Sequence, residues 1–271
     1  MSDSITMSVR AEGPPGVVHA ALTQPAAMVE WLSEFADVEL PHHYRFWGRY
    51  VPDGEEPRQT LVAATDTSLR FQWLIADRPT TATIELKPLD DLATAITVTQ
   101  EGFDAADLGP LGQLQTFWAL ALANLVDLVE ERDTTPRADL TSTELRAAVD
   151  IAAPTDAVFD SLISSEKVSA WFGFPIEIEP REGGRFGSGR IVELDPDRGM
   201  SVDFPGTGIA TWTLEGSGGH TRLTIAQSGF DSNEPPYTSW MGVLSGIAEL
   251  RRFHELTDWR PIWLAEEGNP A

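Results

Sequence analysis

The sequence predicts an α+β protein of two helix-on-sheet domains, each a curved antiparallel sheet wrapped around a long C-terminal helix, with two short helices after the first strand. Three observations predict it: an ungapped internal repeat, one shared order of strand and helix patterns, and an apolar stripe at helical spacing closing each copy. Displaced by 140 residues, Val9–Leu32 falls on Val149–Phe172. Pro14 pairs with Pro154 at a first helical turn, where a missing N–H costs nothing. Val18, Leu22, Met28 and Trp31 pair with Val158, Leu162, Val168 and Trp171 on the buried face. Arg45-Phe46 then meets Arg185-Phe186, Gln100–Asp104 meets Gln227–Asp231, and Trp118 meets Trp240, the last two matches at shorter offsets that imply loop residues lost from the second copy.

The elements follow in order. A first strand (Thr6–Ala11; Leu145–Ile151) runs through proline into a short amphipathic helix and a second one ending at Trp31 or Trp171. Alternating segments predict strands over Tyr44–Val51, Ser68–Trp73, Thr80–Leu86 and Ala93–Glu101, and over Arg185–Leu194, Met200–Phe204, Ala210–Glu215 and Thr221–Gln227. Turn signals such as Asp53-Gly54, Asp195-Pro196-Asp197 and Gly216–Gly219 separate them. The closing helix of the first copy carries Leu111, Leu114, Trp118, Leu122, Leu125 and Val129, and that of the second Trp240, Val243, Ile247, Leu250 and His254, each at steps of three and four. Polar, proline-broken Arg132–Arg137 is the expected linker, which places the domains at residues 1–134 and 141–271.

Composition excludes several classes. Asp and Glu number 42 against 19 Lys and Arg, a net charge of -23, and both copies share it: 8 bases and 21 acids up to residue 135, then 11 and 21. A nucleic-acid binder needs a basic face, so that partner is excluded, and an anionic membrane surface fits no better. No apolar run approaches the ~20 residues of a membrane-spanning helix, so membrane insertion is not expected. There is no cysteine, which removes thiolate metal sites and cysteine nucleophiles. The start Met1–Thr6 lacks a basic region and an apolar run, so a cytoplasmic location is expected.

The second copy resembles the activator of Hsp90 ATPase homologue 1-like family, within the START/Bet v 1-like helix-grip (SRPBCC) superfamily. The likeness is carried by Ile151–Phe159, Trp171-Phe172, Glu182-Gly183-Gly184-Arg185-Phe186, Gly219–Thr224 and Ser228-Gly229-Phe230, and covers nearly all of residues 143–258. The first copy is more divergent. It keeps Pro14, Trp31, Arg45-Phe46 and Gly102-Phe103, but has His42-His43-Tyr44 where the glycine pair belongs and Asp90–Thr94 in place of the Gly-x-Thr-x-Leu turn. The resemblance implies a hydrophobic cavity between sheet and long helix, and it implies no particular reaction.

The expected function is binding of a small hydrophobic or aromatic molecule in that cavity, mainly in the second domain. The ligand-binding candidates there are Trp171, Phe172, Phe186, Trp212, Trp240, Leu244 and Ile247. In the first copy they are Trp31, Phe46, Trp73 and Trp118. Core packing accounts more simply for Trp31 and Trp171, which recur at a helix end, whereas Trp118 and Trp240 fit core and cavity equally. The first alternative is a polyketide cyclase or dehydratase-like enzyme in the same cavity, with Arg185 and His254 as its polar groups. The second is a chaperone-regulating interaction module. An arginine next to a phenylalanine in a strand faces the other way, so Arg185 and Arg45 serve a cavity only if their phenylalanines do not. Adjacent His42 and His43 diverge, and no histidine pair has helical metal-ligand spacing, so no metal and no cofactor is expected. The apolar residues Trp259, Pro261, Ile262 and Trp263 fit a cap on the domain interface or a contact in a homodimer, and the sequence does not choose between them.

Overall fold

The computed structural model describes residues 3–103 and 109–264, so Asp104 of the repeated motif and residues 265–271 of the second expected domain lie outside the described residues. The chain divides into two compact units, one of Met1–Thr141 with Ile262–Ala271 and one of Ser142–Pro261. Both are α+β with an antiparallel sheet and a long closing helix. No helix among the described residues is long and apolar enough to cross a membrane.

In the first unit, β1 (Asp3–Ala11) leads into α1 (Pro15–Thr23) and α2 (Pro25–Trp31). A two-stranded ribbon, β2 (Phe35–Glu39) with β3 (His43–Trp47), precedes β4 (Gln59–Ala64), β5 (Ser68–Ile75), β6 (Arg78–Pro88) and β7 (Thr94–Phe103). The five-stranded sheet runs β1-β7-β6-β5-β4, and α3 (Leu114–Val129), entered by one 3-10 turn, lies against β1 and the two short helices. Alternation decides the faces: on β5, Leu69, Phe71, Trp73 and Ile75 are buried while Arg70 and Gln72 are exposed.

The second unit repeats the plan with β8 (Leu145–Ile151), α4 (Thr155–Ile163), α5 (Ser165–Phe172), β9 (Arg185–Phe186), β10 (Gly189–Asp195), β11 (Gly199–Phe204), β12 (Gly208–Ser217), β13 (His220–Ser228) and α6 (Tyr237–Glu255). Its six-stranded sheet runs β8-β13-β12-β11-β10-β9, and α6 packs on β8 and α5. The repeat extends to hydrogen bonds. Trp31 Nε1 donates to Ala21 O at 3.0 Å and Trp171 Nε1 to Ser161 O at 2.9 Å. Thr94 and Thr221 each donate to the residue before the first helix's proline, Gly13 and Ala153, at 2.7 Å. Glu130 and Glu255 accept the backbone N–H of Glu12 and Ala152.

The structure departs from the expected elements at several points. The strand expected over Arg185–Leu194 is a hairpin, because Gly187 at φ 56° turns the chain between β9 and β10. The strand expected over Tyr44–Val51 stops at Trp47, before Gly48 at φ 107°. Strands β2 and β4 carry no clean apolar alternation. The first belongs to a half-exposed ribbon, and the second is an edge strand with a bulge at Val62, matched in the second unit by a bulge at Val192.

The linker is not a loose tether. The Asn124 side chain pairs with both backbone groups of Thr135, and Arg137 donates to Ser33 O at 2.6 Å and lies over the Tyr50 ring. The chain's last described segment joins the first unit as well. Arg10 N donates to Ile262 O and Leu264 N to Ser8 O, with a bridge between Val9 and Trp263, along the free edge of β1.

Candidate functional site

The interior of the first unit is filled from sheet to helix by rings. Trp73 of β5 meets Phe46 at 5.1 Å, Phe117 at 5.6 Å and Trp118 at 6.3 Å between centroids, all edge-on. A chain of hydrogen bonds locks this stack. Trp118 Nε1 donates to Gln100 Oε1 at 3.0 Å, Gln100 Nε2 to Thr80 Oγ1 at 2.7 Å, and Thr80 Oγ1 to Trp73 O at 2.7 Å. Beside it the Tyr44 hydroxyl is buried, which raises its pKa well above the ordinary phenol range and keeps it neutral. Three of the four first-copy candidates, Phe46, Trp73 and Trp118, therefore form one packed cluster. Trp31 stands apart, its N–H taken by Ala21.

The second unit is built differently at the same place. Gln227 occupies the position of Gln100 on the buried face of its strand, with Thr221, Leu223 and Ile225, and its Nε2 donates to Thr207 O, in the turn before β12, at 2.7 Å. No indole completes the pattern: among the described residues, no side-chain donor reaches Gln227 Oε1. Counted back from Glu255, the counterpart of Glu130, the position of Trp118 on α6 is held by Val243, that of Phe117 by Gly242 and that of Ala121 by Gly246. Trp240, the sequence match of Trp118, sits about one turn nearer the helix start.

Of the second-unit candidates, Trp240, Leu244 and Ile247 are buried along one stripe of α6, and Phe186 and Trp212 pack together on the sheet at 5.9 Å. Trp171 is buried with its N–H taken by Ser161, while Phe172 is half-buried over Gly246 and meets Phe174 edge-on at 4.7 Å. Phe174 is 54% exposed, and Gly242 and Val243 of α6 are half-buried.

The two polar candidates do not meet inside the domain. Arg185, the polar candidate of the cyclase alternative, faces solvent and pairs with Glu177 at 2.8 Å while Phe186 turns inward. Arg45 does the same with Asp37 beside buried Phe46. His254 is half-buried on α6 with Nε2 enclosed, and burial, then the charge of Lys167, holds its pKa below the ordinary value, Glu255 opposing. Two surface clefts of about 550 and 520 Å³ lie elsewhere, one at Pro154 and the β12–β13 turn, the other at the β9–β10 hairpin; both are polar-lined. Among the described residues, no group of three or more His, Asp or Glu is placed to hold a metal ion.

The family model described as activator of Hsp90 ATPase homolog 1-like protein matches residues 12–130 and again 152–250. The chain belongs to this family, in tandem duplication. Among solved structures it is similar over 92% of its length to DynU16, a protein of the dynemicin biosynthetic locus, covering 96% of that chain at 18% identity and a TM-score of 0.41. A Mesorhizobium loti protein aligns with 48% of this chain and 99% of its own at 21% identity and a TM-score of 0.42. An HSP90 activator from Plasmodium falciparum aligns with 47% of this chain and 96% of its own at 16% identity and a TM-score of 0.40. No curated protein matches the sequence. The family's helix-grip fold accounts for both units, and sequence reasoning named the stripes of the closing helices. It passed over Gln100 and Gln227 as mere repeat markers, although a polar residue recurring on the apolar face of both copies is itself a signal.

Proposed function

We propose that the second unit binds a small hydrophobic or aromatic molecule between its sheet and α6, entering beside Phe172 and Phe174. The observation that carries this reading is the exchange of side chains on the closing helix: α3 sends Phe117 and Trp118 into its sheet, while α6 has Gly242 and Val243 at those positions. Smaller side chains on the helix facing the aromatic sheet residues Phe186, the match of Phe46, and Trp212, which stands where the first unit has Ile84, favour an apolar surface of the kind small-molecule sites use. The first unit, stapled by its own tryptophans, is the degenerate partner.

Titration with 2-naphthol, followed by quenching of tryptophan emission, tests the reading. Val243→Trp, which restores the residue of the first unit, is expected to weaken binding by tenfold or more while the protein stays folded. Unchanged affinity in both Trp240→Ala and Trp212→Ala would remove the proposed site. The cyclase reading loses Arg185 as an interior group, and no observation favours it.

A further inference from the structure

The duplicated chain carries two versions of one strand-and-helix arrangement, and comparing them specifies the polar chemistry of the ligand. In the first unit a planar bicyclic ring, the indole of Trp118, packs edge-on to Trp73 and donates one hydrogen bond from the ring plane to Gln100 Oε1 at 3.0 Å. In the second unit the same carboxamide, that of Gln227, recurs on the same buried strand face, 7% exposed, its Nε2 donating to a backbone carbonyl, Thr207 O in the turn before β12, at 2.7 Å. Because Nε2 is committed to Thr207, Oε1 is the end that remains to accept. Trp240 does not supply the missing donor, and Trp212 packs on Phe186 within the sheet.

We infer that Gln227 Oε1 is the polar anchor of the site and that its ligand is a flat aromatic molecule of one or two rings bearing an in-plane N–H or O–H donor, of the indole or phenol class. This rests on the binding reading above and deepens it. A carboxamide oxygen beside an apolar face discriminates, because a ligand without a donor covers the acceptor and leaves it unpaired while a ligand with one completes the network that Trp118 completes in the first unit. It also predicts that anionic and purely aliphatic molecules bind poorly, since the acceptor repels a carboxylate and a chain without a donor gives it no partner.

The experiment compares 2-naphthol with 2-methoxynaphthalene, which has the same ring system and no donor, by fluorescence titration of the full-length chain. The expected result is a preference for the naphthol of about fivefold or more, the equilibrium ratio of one net hydrogen bond near the middle of its usual range. In Gln227→Leu that preference falls to near one through weaker naphthol binding, with circular dichroism confirming the fold. Equal affinities in the wild type, or a preference that survives Gln227→Leu, would overturn the anchor and leave the binding reading standing. Failure of both probes to bind the wild type would sink the binding reading itself. Trp118→Val supplies an independent arm: uncovering Gln100 Oε1 is expected to raise the stoichiometry from one naphthol per chain to two, and a folded variant that stays at one would break the equivalence of the two glutamines.

Discussion

His254 extends the apolar stripe of α6 by one turn, and its surroundings decide when it can carry charge. Burial and Lys167 lower its pKa beneath the ordinary value near 6.5, against a smaller opposing pull from Glu255. The unfolded chain therefore binds more protons than the folded one in mildly acid solution. This contribution to stability is complete above about pH 6.5 and is lost as pH falls through that value toward the lower folded pKa. Urea midpoints are expected to drop between pH 7.5 and 5.5, and to drop less in His254→Gln; an equal drop in the variant would assign the effect to other groups. The arginine–phenylalanine pairs show what residue-level reading can do. Alternation placed one residue of each pair inside, and the apolar one won in both copies, because an interior guanidinium would need buried partners that Glu177 and Asp37 provide more cheaply in solvent.

At the scale of elements, the closing helices share a position and differ in what they carry. Gly246 lets α6 approach α5 closely: a Cβ there would lie 2.5 and 2.6 Å from two carbons of the Phe172 ring. Gly246→Ala is expected to destabilise the second unit by about 1–3 kcal/mol through overpacking. Phe172→Leu in the same chain should restore most of this, since the first copy already pairs Leu32 with Ala121 at the matching positions. Non-additive urea midpoints across the four proteins would confirm the contact, and simple additivity would refute it. The strongly patterned elements were readable from sequence because periodicity and burial coincide in them. Strands β2 and β4 were not, because an exposed ribbon and a bulged edge strand gain their pairing from neighbours rather than from an apolar face.

At the scale of the whole molecule, the first unit draws its outermost sheet contact from the far end of the chain. Ile262 and Leu264 hydrogen-bond to β1, so the unit of Met1–Thr141 is complete only with residues that follow the second unit. Truncation after Pro261 is expected to speed hydrogen exchange in peptides covering β1 and leave those covering β8 unchanged; equal protection of β1 in both chains would contradict the pairing. By itself the sequence determined the duplication, the order of elements, the faces of the strands and the acidic character of both copies, because all of these are local periods and sums over residue types. Only the tertiary structure decided that Trp118 bonds to Gln100 while Gln227 keeps an open acceptor, that the linker is fastened to α3, and that residues 262–264 return to β1. Those features depend on which distant residues arrive at hydrogen-bond distance, and a spacing along the chain carries no record of that.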